Sequence, residues 1–526
     1  MRPDTPPPAK AGGGPVRHEA PMPDLLIANV LAALPDSAPG LDRPRPRHDI
    51  EIAGDTIAAI RPATGLVPDR AGVIDGSRLL AAPGFVNGHH HSHENFQKGR
   101  YEGLPLELWM NLVRPMKPVA VTPEQVYLRT MIGAIQALRS GTTTIVDDMN
   151  VPGLDRALLD AAFRAYDDIG IRAYVGMTMF DRPFFRGMPF VDETFPPDLL
   201  AELDALAVTP AEAILSLADD LARSRHPASN RVGYIAAPSA PQRCTEGFLR
   251  SVRALADRHD LPVIIHVHET RLQVVTGQVL YGSSMFAYLH RIGFLAPKTS
   301  IIHGVWVSKE DLDLIAASGA SIQHNPNSNL KLGSGLAPLR EMLRRGINVS
   351  LGTDGCGSIE STDMLRVLAN TALLQTLREG EHEDWISSEE AFRAATRGGA
   401  VALGRTDLGE LRVGAKADIA LYDTRSIALT PLNRPLQQLV FAETGQGLAH
   451  LIVDGEAVLR DGRLTRVDEP ALIDRIHAAA EALDPAIRAA EDSVRRIRAP
   501  YEDIYRRCCD TSIPASTLPT RLPKIG

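Results

Sequence analysis

The sequence predicts an α/β fold: a (β/α)8 TIM barrel with a small β-sandwich built from its two flanks. Three observations carry this. Short apolar runs alternate with amphipathic helical stretches through the middle of the chain, the pattern of parallel strands joined by helices. Several of these runs end in His, Glu or Asp followed by turn residues, and a barrel of this kind places its chemistry at the C-terminal ends of its strands. Finally, similar sets of short β segments stand before and after that region. The 526 residues leave room for a second module beside a barrel of roughly 250 residues or more.

Taken in order, residues 1–22 are rich in Pro and Gly and predict a disordered leader. Residues 23–82 carry LLIANVLA, HDIEIAGDTIAAIRPA and GVIDGSRLLAAPG, short strands punctuated by Gly, Asp and Pro. Residues 409–468 carry LGELRVGAKADIALYDT and HLIVDGEAVLRDGRL, and the two sets are expected to pair as one composite sandwich. Between them, residues 83–408 supply the barrel. Its strand candidates are GFVNGHHH, TTTIVDDMN, RAYVGMTM, VGYIAAPSA, PVIIHVHE, TSIIHGVWV, ASIQHNP and NVSLGTDG. TPEQVYLRTMIGAIQAL, EGFLRSVRALADRHD and SKEDLDLIAASG are helices between them. Residues 469–526 form a helical C-terminal tail.

A formal charge of −8 is mild for this length and gives no basic surface for nucleic acid. No run is long and apolar enough to span a bilayer. The N-terminus lacks the apolar core of a secretory signal. The cysteines Cys244, Cys356, Cys508 and Cys509 do not form a disulfide framework or a CxxC pair. A reducing cytoplasm is the expected location.

The chemistry gathers at strand ends. His89 and His91 stand at i and i+2, so strand alternation points both into the barrel. His266 adds a third imidazole from strand 5, and Asp354 a carboxylate from strand 8. Three imidazoles and a carboxylate suit a divalent transition metal such as zinc, which makes a bound water acidic enough to attack near neutral pH. The cluster His89, His90, His91, His93 leaves a second HxH register open, His91 with His93. The first is preferred because it follows the apolar GFVN directly, with His90 and His93 in supporting places. Glu269, beyond His266, and His303, at the mouth of strand 6, are candidate proton carriers. Asp354 can both bind metal and accept a proton. His268 points away from His266 by alternation. Gln97, Trp109, Gln242 and Asn327, in the loops after strands 1, 4 and 7, are candidate substrate contacts. The HE pair at His93 and Glu94 lacks the second histidine of HExxH.

These motifs resemble those of the amidohydrolase superfamily, in its cytosine-deaminase-like and atrazine-chlorohydrolase-like branch. PGFVNGHHH is similar to PGFxNxHxH, and HVHET to HxxET. HGVWVSKED is similar to the strand 6 His segment, while HNPNSNLKLGSG and LGTDG match almost residue for residue. The likeness covers roughly residues 25–465. It implies one divalent metal per chain, usually Zn2+ and sometimes Fe2+, held by His89, His91, His266 and Asp354. Glu269 and His303 become acid/base residues. The implied reaction is deamination of an amidine-like carbon in a purine, pterin, pyrimidine or triazine, with release of ammonia. The alternative is hydrolysis at the same site with loss of an alkylamine or chloride, or of a ring amide. A scaffold without activity is disfavoured because all four ligands are present. A small heterocycle is the implied partner, and a dimer or tetramer the implied assembly.

Departures from the relatives bear on the substrate. Ser239 stands where methylthioadenosine and adenosylhomocysteine deaminases commonly carry a ribose-holding His. Leu108 precedes Trp109 where those enzymes tend to have an acid, and Glu107 is one place off. These differences favour a base, a pterin-like ring or a triazine over a nucleoside. Ile359 and Glu360 replace a frequent Asn pair. Ala236 and Ala237 stand where binuclear relatives need a carboxylated lysine, which favours a single metal.

Overall fold

Eight short parallel strands close around a small apolar interior. They are β1 (Phe85–His90), β2 (Thr142–Met149), β3 (Arg172–Met179), β4 (Val232–Tyr234, continued at Ala237–Pro238), β5 (Val263–Val267), β6 (Thr299–His303), β7 (Ser321–His324) and β8 (Val349–Leu351). All eight coincide with the predicted runs. This computed structural model describes residues 24–33, 46–206, 208–378 and 380–520. The predicted leader lies outside the described residues.

Strands β1 to β4 pair in sequence, as do β5 to β8. Backbone bonds close the two half-barrels into a ring. Ile264 N–H donates to Ala236 O (3.0 Å) and His266 N–H to Ser239 O (3.1 Å), while Asp354 N–H donates to His89 O (2.9 Å). Asn87 reinforces the second seam: its Oδ1 accepts from Thr353 N–H (3.0 Å) and its Nδ2 donates to Thr353 Oγ1 (2.8 Å). The chain at Gly352 passes so close that a Cβ there would sit 2.8 Å from His89 N. The interior is filled by Val86, Val146, Tyr174, Ile235, Ala237, Ile264, Ile302 and Leu403.

The helices that matter for the site are α1 (Leu106–Val113), α2 (Pro123–Arg139), α3 (Glu246–Arg258), α4 (Arg271–Tyr281), α5 (Lys309–Ser318), α6 (Glu469–Ser493) and α7 (Arg495–Asp510). Their starts follow from side-chain chemistry. Thr122 and Ser308 form capping boxes with Gln125 and Asp311, and Thr245 caps α3. Gly319, with φ 72°, ends α5 in the left-handed conformation that glycine adopts without penalty.

The two flanks meet in one nine-stranded sheet. Strand Leu79–Pro83 pairs in parallel with Leu25–Ala32 and antiparallel with Ile419–Asp423, which joins the N-terminal and C-terminal sets. Ile27, Ile50, Ile52, Ile419, Leu421 and Ile452 form part of its separate apolar core. Arg172, at the start of β3, ties the sheet to the barrel floor through a buried pair with Asp418 (3.2 Å) and a partly exposed one with Asp454.

The tail does not stand apart from the barrel. α7 packs on α1, α4 and the short helix Val191–Thr194. Arg271 in α4 donates to Cys508 O (3.1 Å) and Thr511 O (2.6 Å). Further on, Leu518 N–H donates to Val307 O (2.9 Å), and Leu336 N–H to Thr520 O (2.8 Å). The last described residues therefore run against loops that leave the C-terminal ends of the strands. Among the described residues no helix is long and apolar enough to cross a membrane.

Candidate metal and acid/base centre

The C-terminal ends of β1, β5, β6 and β8 converge on one buried cluster. Ring nitrogens of His89, His91 and His266 lie within 4.8 Å of one another, and the same holds for side-chain atoms of Glu269, His303 and Asp354. Asp354 Oδ1 joins the two groups, at 3.5 Å from His89 Nε2 and 3.5 Å from His91 Nε2. Donors bound tetrahedrally to one ion at zinc distances stand about 3.3–3.5 Å apart.

The imidazoles are set for this by their outer nitrogens. His91 donates from Nδ1 to Asp148 O (2.6 Å), and His266 from Nδ1 to Ser239 O (2.8 Å), which leaves each Nε2 with a lone pair facing the cluster. Both nitrogens of His89 are buried without a hydrogen-bond partner. A polar atom left this way is costly unless a ligand completes it, so the donor set fits a divalent cation. Asp354 Oδ1 accepts from Gly355 N–H (2.7 Å) and Oδ2 from Ser328 Oγ (2.6 Å). Burial opposes ionisation of Asp354, yet His89, His303 and Ser328 outweigh it and hold the carboxyl well below the usual range.

The proton carriers sit opposite. His303 donates from Nδ1 to Asn329 Oδ1 (2.9 Å) and turns Nε2 toward Glu269 Oε2 (3.4 Å) and Asp354 Oδ2 (3.8 Å). Burial lowers the His303 pKa to about 4. Burial, reinforced by the charges of Asp354, Glu107 and Glu94, raises the Glu269 carboxyl well above its ordinary range. Its Oε1 is buried with no partner. Both His303 (φ 76°) and Asp354 (φ 72°) hold left-handed backbone, a costly state for residues with a Cβ that clusters at functional sites.

The second HxH register also gathers possible ligand atoms, those of His91, His93 and Glu94 lying within 4.8 Å of one another, but His93 has other engagements. His93 lies 3.1 Å from Arg114 Nε and accepts from Asn150 N–H at Nδ1 (3.2 Å). His90, on the opposite face of β1, is bonded through Nδ1 to Asp354 O (3.0 Å). His268 faces away, bonded to Trp306 O (2.8 Å) and Met285 N–H (3.2 Å).

A cavity opens onto this cluster. Trp109 and Gln242 line it, as does Ser239. Gln97 and Asn327 do not line it. Gln97 donates to Val113 O (3.1 Å), and Asn327 accepts from Asn370 Nδ2 (2.7 Å). Pro326–Lys331 coils as a helical turn, so Ser328 and Asn329 rather than Asn327 face the acid/base residues. Glu107 turns from the cavity and accepts from Thr270 Oγ1. Glu94, which the sequence marks only as half of an HE pair, also lines the cavity, as do Arg114 and Arg243. Burial raises the Glu94 pKa to about 8 despite Arg114 Nη2 at 3.8 Å. Only Glu94 follows the HxH strand; Arg114 caps the end of α1 and Arg243 stands in the turn after β4, so no motif marks either.

Known proteins share this architecture. The chain is 33% identical over 429 residues to the 5-methylthioadenosine/S-adenosylhomocysteine deaminase of Nitratidesulfovibrio vulgaris, covering 81% of this chain and 90% of that protein. It is 33% identical over 411 residues to the 5'-deoxyadenosine deaminase of Methanothermobacter thermautotrophicus, covering 78% and 89%. An adenosine deaminase from Xanthomonas campestris with bound zinc superposes with a TM-score of 0.76 at 26% identity, over 89% of this chain and 100% of that one. A triazine hydrolase from Arthrobacter aurescens gives a TM-score of 0.77 at 25% identity, over 87% and 99%. The family model of the amidohydrolase family matches residues 80–458, from the last strand of the N-terminal flank through the whole barrel, and the chain belongs to that family.

Proposed function

We propose that this site deaminates an amino-substituted N-heterocycle, using one divalent metal ion held by His89, His91, His266 and Asp354. The observation that carries the reading is the facing of two sets: Asp354 Oδ1 at 3.5 Å from two histidine Nε2 atoms, and Glu269 with an unpartnered Oε1 across from it. The curated relatives named above act, by their names, on adenosine-type nucleosides. Adenine and the amino-triazines share a ring carbon bearing an exocyclic amine beside ring nitrogens, and this is the substrate class proposed.

When bound, the ion polarises water and makes it acidic enough to attack near neutral pH, and zinc suits the N3O donor set. The protein supplies the proton traffic. Asp354 Oδ2 accepts the proton of the attacking water. His303, fixed by Asn329, orients that water and the developing negative charge. Glu269, protonated, delivers its proton to the ring nitrogen next to the attacked carbon. The ionised Glu269 then takes the proton of the added hydroxyl and hands it to the departing amine, so the carbon–nitrogen bond breaks as ammonia leaves and the carbonyl forms, and the proton held by Asp354 restores Glu269. Trp109 and Gln242 are the proposed ring contacts, while the positions of Gln97 and Asn327 favour supporting roles.

Purified protein with bound metal, assayed on aminopurines, aminopterins, cytosines and aminotriazines, is expected to release ammonia in step with loss of substrate. Turnover that releases chloride or an alkylamine but never ammonia would replace this reading with hydrolysis of a different bond.

A further inference from the structure

Arg243 lines the catalytic cavity and is only 8% exposed. It stands in the short turn Pro241–Arg243 after β4. Its guanidinium stacks on Phe180, 3.9 Å from the ring centroid, with Phe184 at 5.7 Å on the same side chain. Nη1 donates to Ser239 Oγ (3.3 Å), and Nε is buried with no partner. Among the described residues no carboxylate forms an ion pair with it. The acids that line the cavity lie nearer other groups: Glu94 faces Arg114 (3.8 Å), Glu269 faces His303 (3.4 Å), and Asp354 accepts from Ser328. The neighbouring Gln242 Oε1 is likewise buried without a partner.

An arginine buried without an anion is expensive, because removing its charge from water is compensated only by a counter-ion or a full set of acceptors. Here the guanidinium fork is held by an aromatic platform and one hydroxyl, and it lines the same cavity as Glu269, His303 and Asp354. A planar carboxylate matches that fork with two parallel N–H···O bonds. A neutral acceptor satisfies the hydrogen bonds and leaves the charge uncompensated.

We infer that the substrate carries a carboxylate and that Arg243 is the residue that selects it. The inference rests on the aminohydrolase reading for the reaction and extends it to the substrate class: an amino-substituted heterocycle with a carboxylate either on the ring or on a short arm attached to it.

The test uses matched pairs that differ only in the anion. Pterin is compared with pterin-6-carboxylate, and adenosine with adenosine-5'-carboxylic acid. Binding to the metal-loaded enzyme is read by fluorescence or calorimetry, and turnover by ammonia release. The expected result is tighter binding of the acid by about tenfold or more in at least one pair, the range of a charge-assisted hydrogen bond. The pair that responds tells a ring carboxylate from one on an arm. Arg243→Gln is expected to cut the preference toward unity, and Arg243→Lys, which keeps charge but loses the fork, to fall between. Far-UV circular dichroism and metal content verify that each variant is folded. Equal binding of both members in both pairs overturns the inference, as does a preference that survives Arg243→Gln. If Arg243→Gln does not fold, the wild-type preference and Arg243→Lys still decide. Carboxylate-selective binding without ammonia release would instead sink the aminohydrolase reading and leave this one standing.

Discussion

His303 Nε2 lies 3.4 Å from Glu269 Oε2, so the two groups assigned to proton transfer stand side by side across strands β5 and β6. The pairing follows from register. Val267, the last residue of β5, is opposite His303 in the parallel ladder, and Glu269 lies two residues further along. Burial disfavours charge on both: it keeps the imidazole neutral and the carboxyl protonated.

Glu269→Gln is therefore expected to lower kcat/KM by about 10²–10⁴, the usual worth of general acid/base help. Glutamine keeps the shape and a hydrogen bond but cannot deliver the proton. Because position 269 is outside the metal donor set, metal content is expected to stay at the wild-type level. Steady-state kinetics beside elemental analysis checks this, and near-normal turnover would remove Glu269 from the mechanism.

The four-donor set leads to an expected content of one divalent ion per active chain. Asp354→Asn should lower both occupancy and turnover, since the amide is a weaker ligand and cannot accept the water's proton. Its fold should persist, because the seam at β1 and β8 rests on backbone bonds and on Asn87 rather than on the carboxylate. Inductively coupled plasma analysis and thermal melting test the two halves separately. A fully active enzyme with two ions per chain would contradict the single-site reading.

The barrel and the centre of the site were legible in the sequence because both have a short-range signal. Each strand is an apolar run closed by turn residues, and strand alternation alone puts His89 and His91 on one face and His90 on the other. What escaped depends on geometry beyond one element. Within HNPNSN the sequence points to Asn327, whereas Ser328 and Asn329 face the site, because the loop after β7 coils into a helical turn that resets which side chain points inward. Gln97 stands at the end of a 3-10 turn that aims it at Val113 O. Arg243 looks like an ordinary surface charge until Phe180 and Phe184, from a segment roughly sixty residues earlier, close over it.

Arg172 joins the barrel floor to the flanking sheet, with side chains of Arg172 and Asp418 each only 4% exposed. Arg172→Ala leaves the buried Asp418 beside the partly exposed Asp454 without a cation. Breaking a buried pair from one side costs about 3–5 kcal/mol. The expected outcome is a marked fall in chemical and thermal stability, with activity of the remaining folded fraction little changed, since the residue lies at the end of β3 away from the catalytic cluster. Urea unfolding of the metal-loaded protein measures the loss. A change below about 1 kcal/mol, the scale of an exposed pair, would show that the network adds little to holding sheet and barrel together.

Tyr501 carries the last prediction because it links the tail to the substrate cavity. It lies in α7, outside the matched family region, and is fully buried. Its ring stacks on Phe184 (centroids 6.1 Å apart, 11° between planes) and meets Phe195 edge-on (5.5 Å). Phe184 in turn lines the cavity and flanks Arg243. Replacing a buried aromatic side chain by alanine costs about 3–5 kcal/mol where the site cannot collapse, so Tyr501→Ala should lower the melting temperature. Stability alone would not separate a positioning role from a packing role. The separating readout is the split of kinetic constants: a loosened Phe184 frees the Arg243 side chain, which should raise KM more than it lowers kcat, with metal content unchanged. Tyr501→Phe keeps the ring and should restore both the stability and KM. If Tyr501→Ala melts earlier but leaves KM untouched, the tail is a structural clamp on the barrel mouth and takes no part in shaping the substrate site.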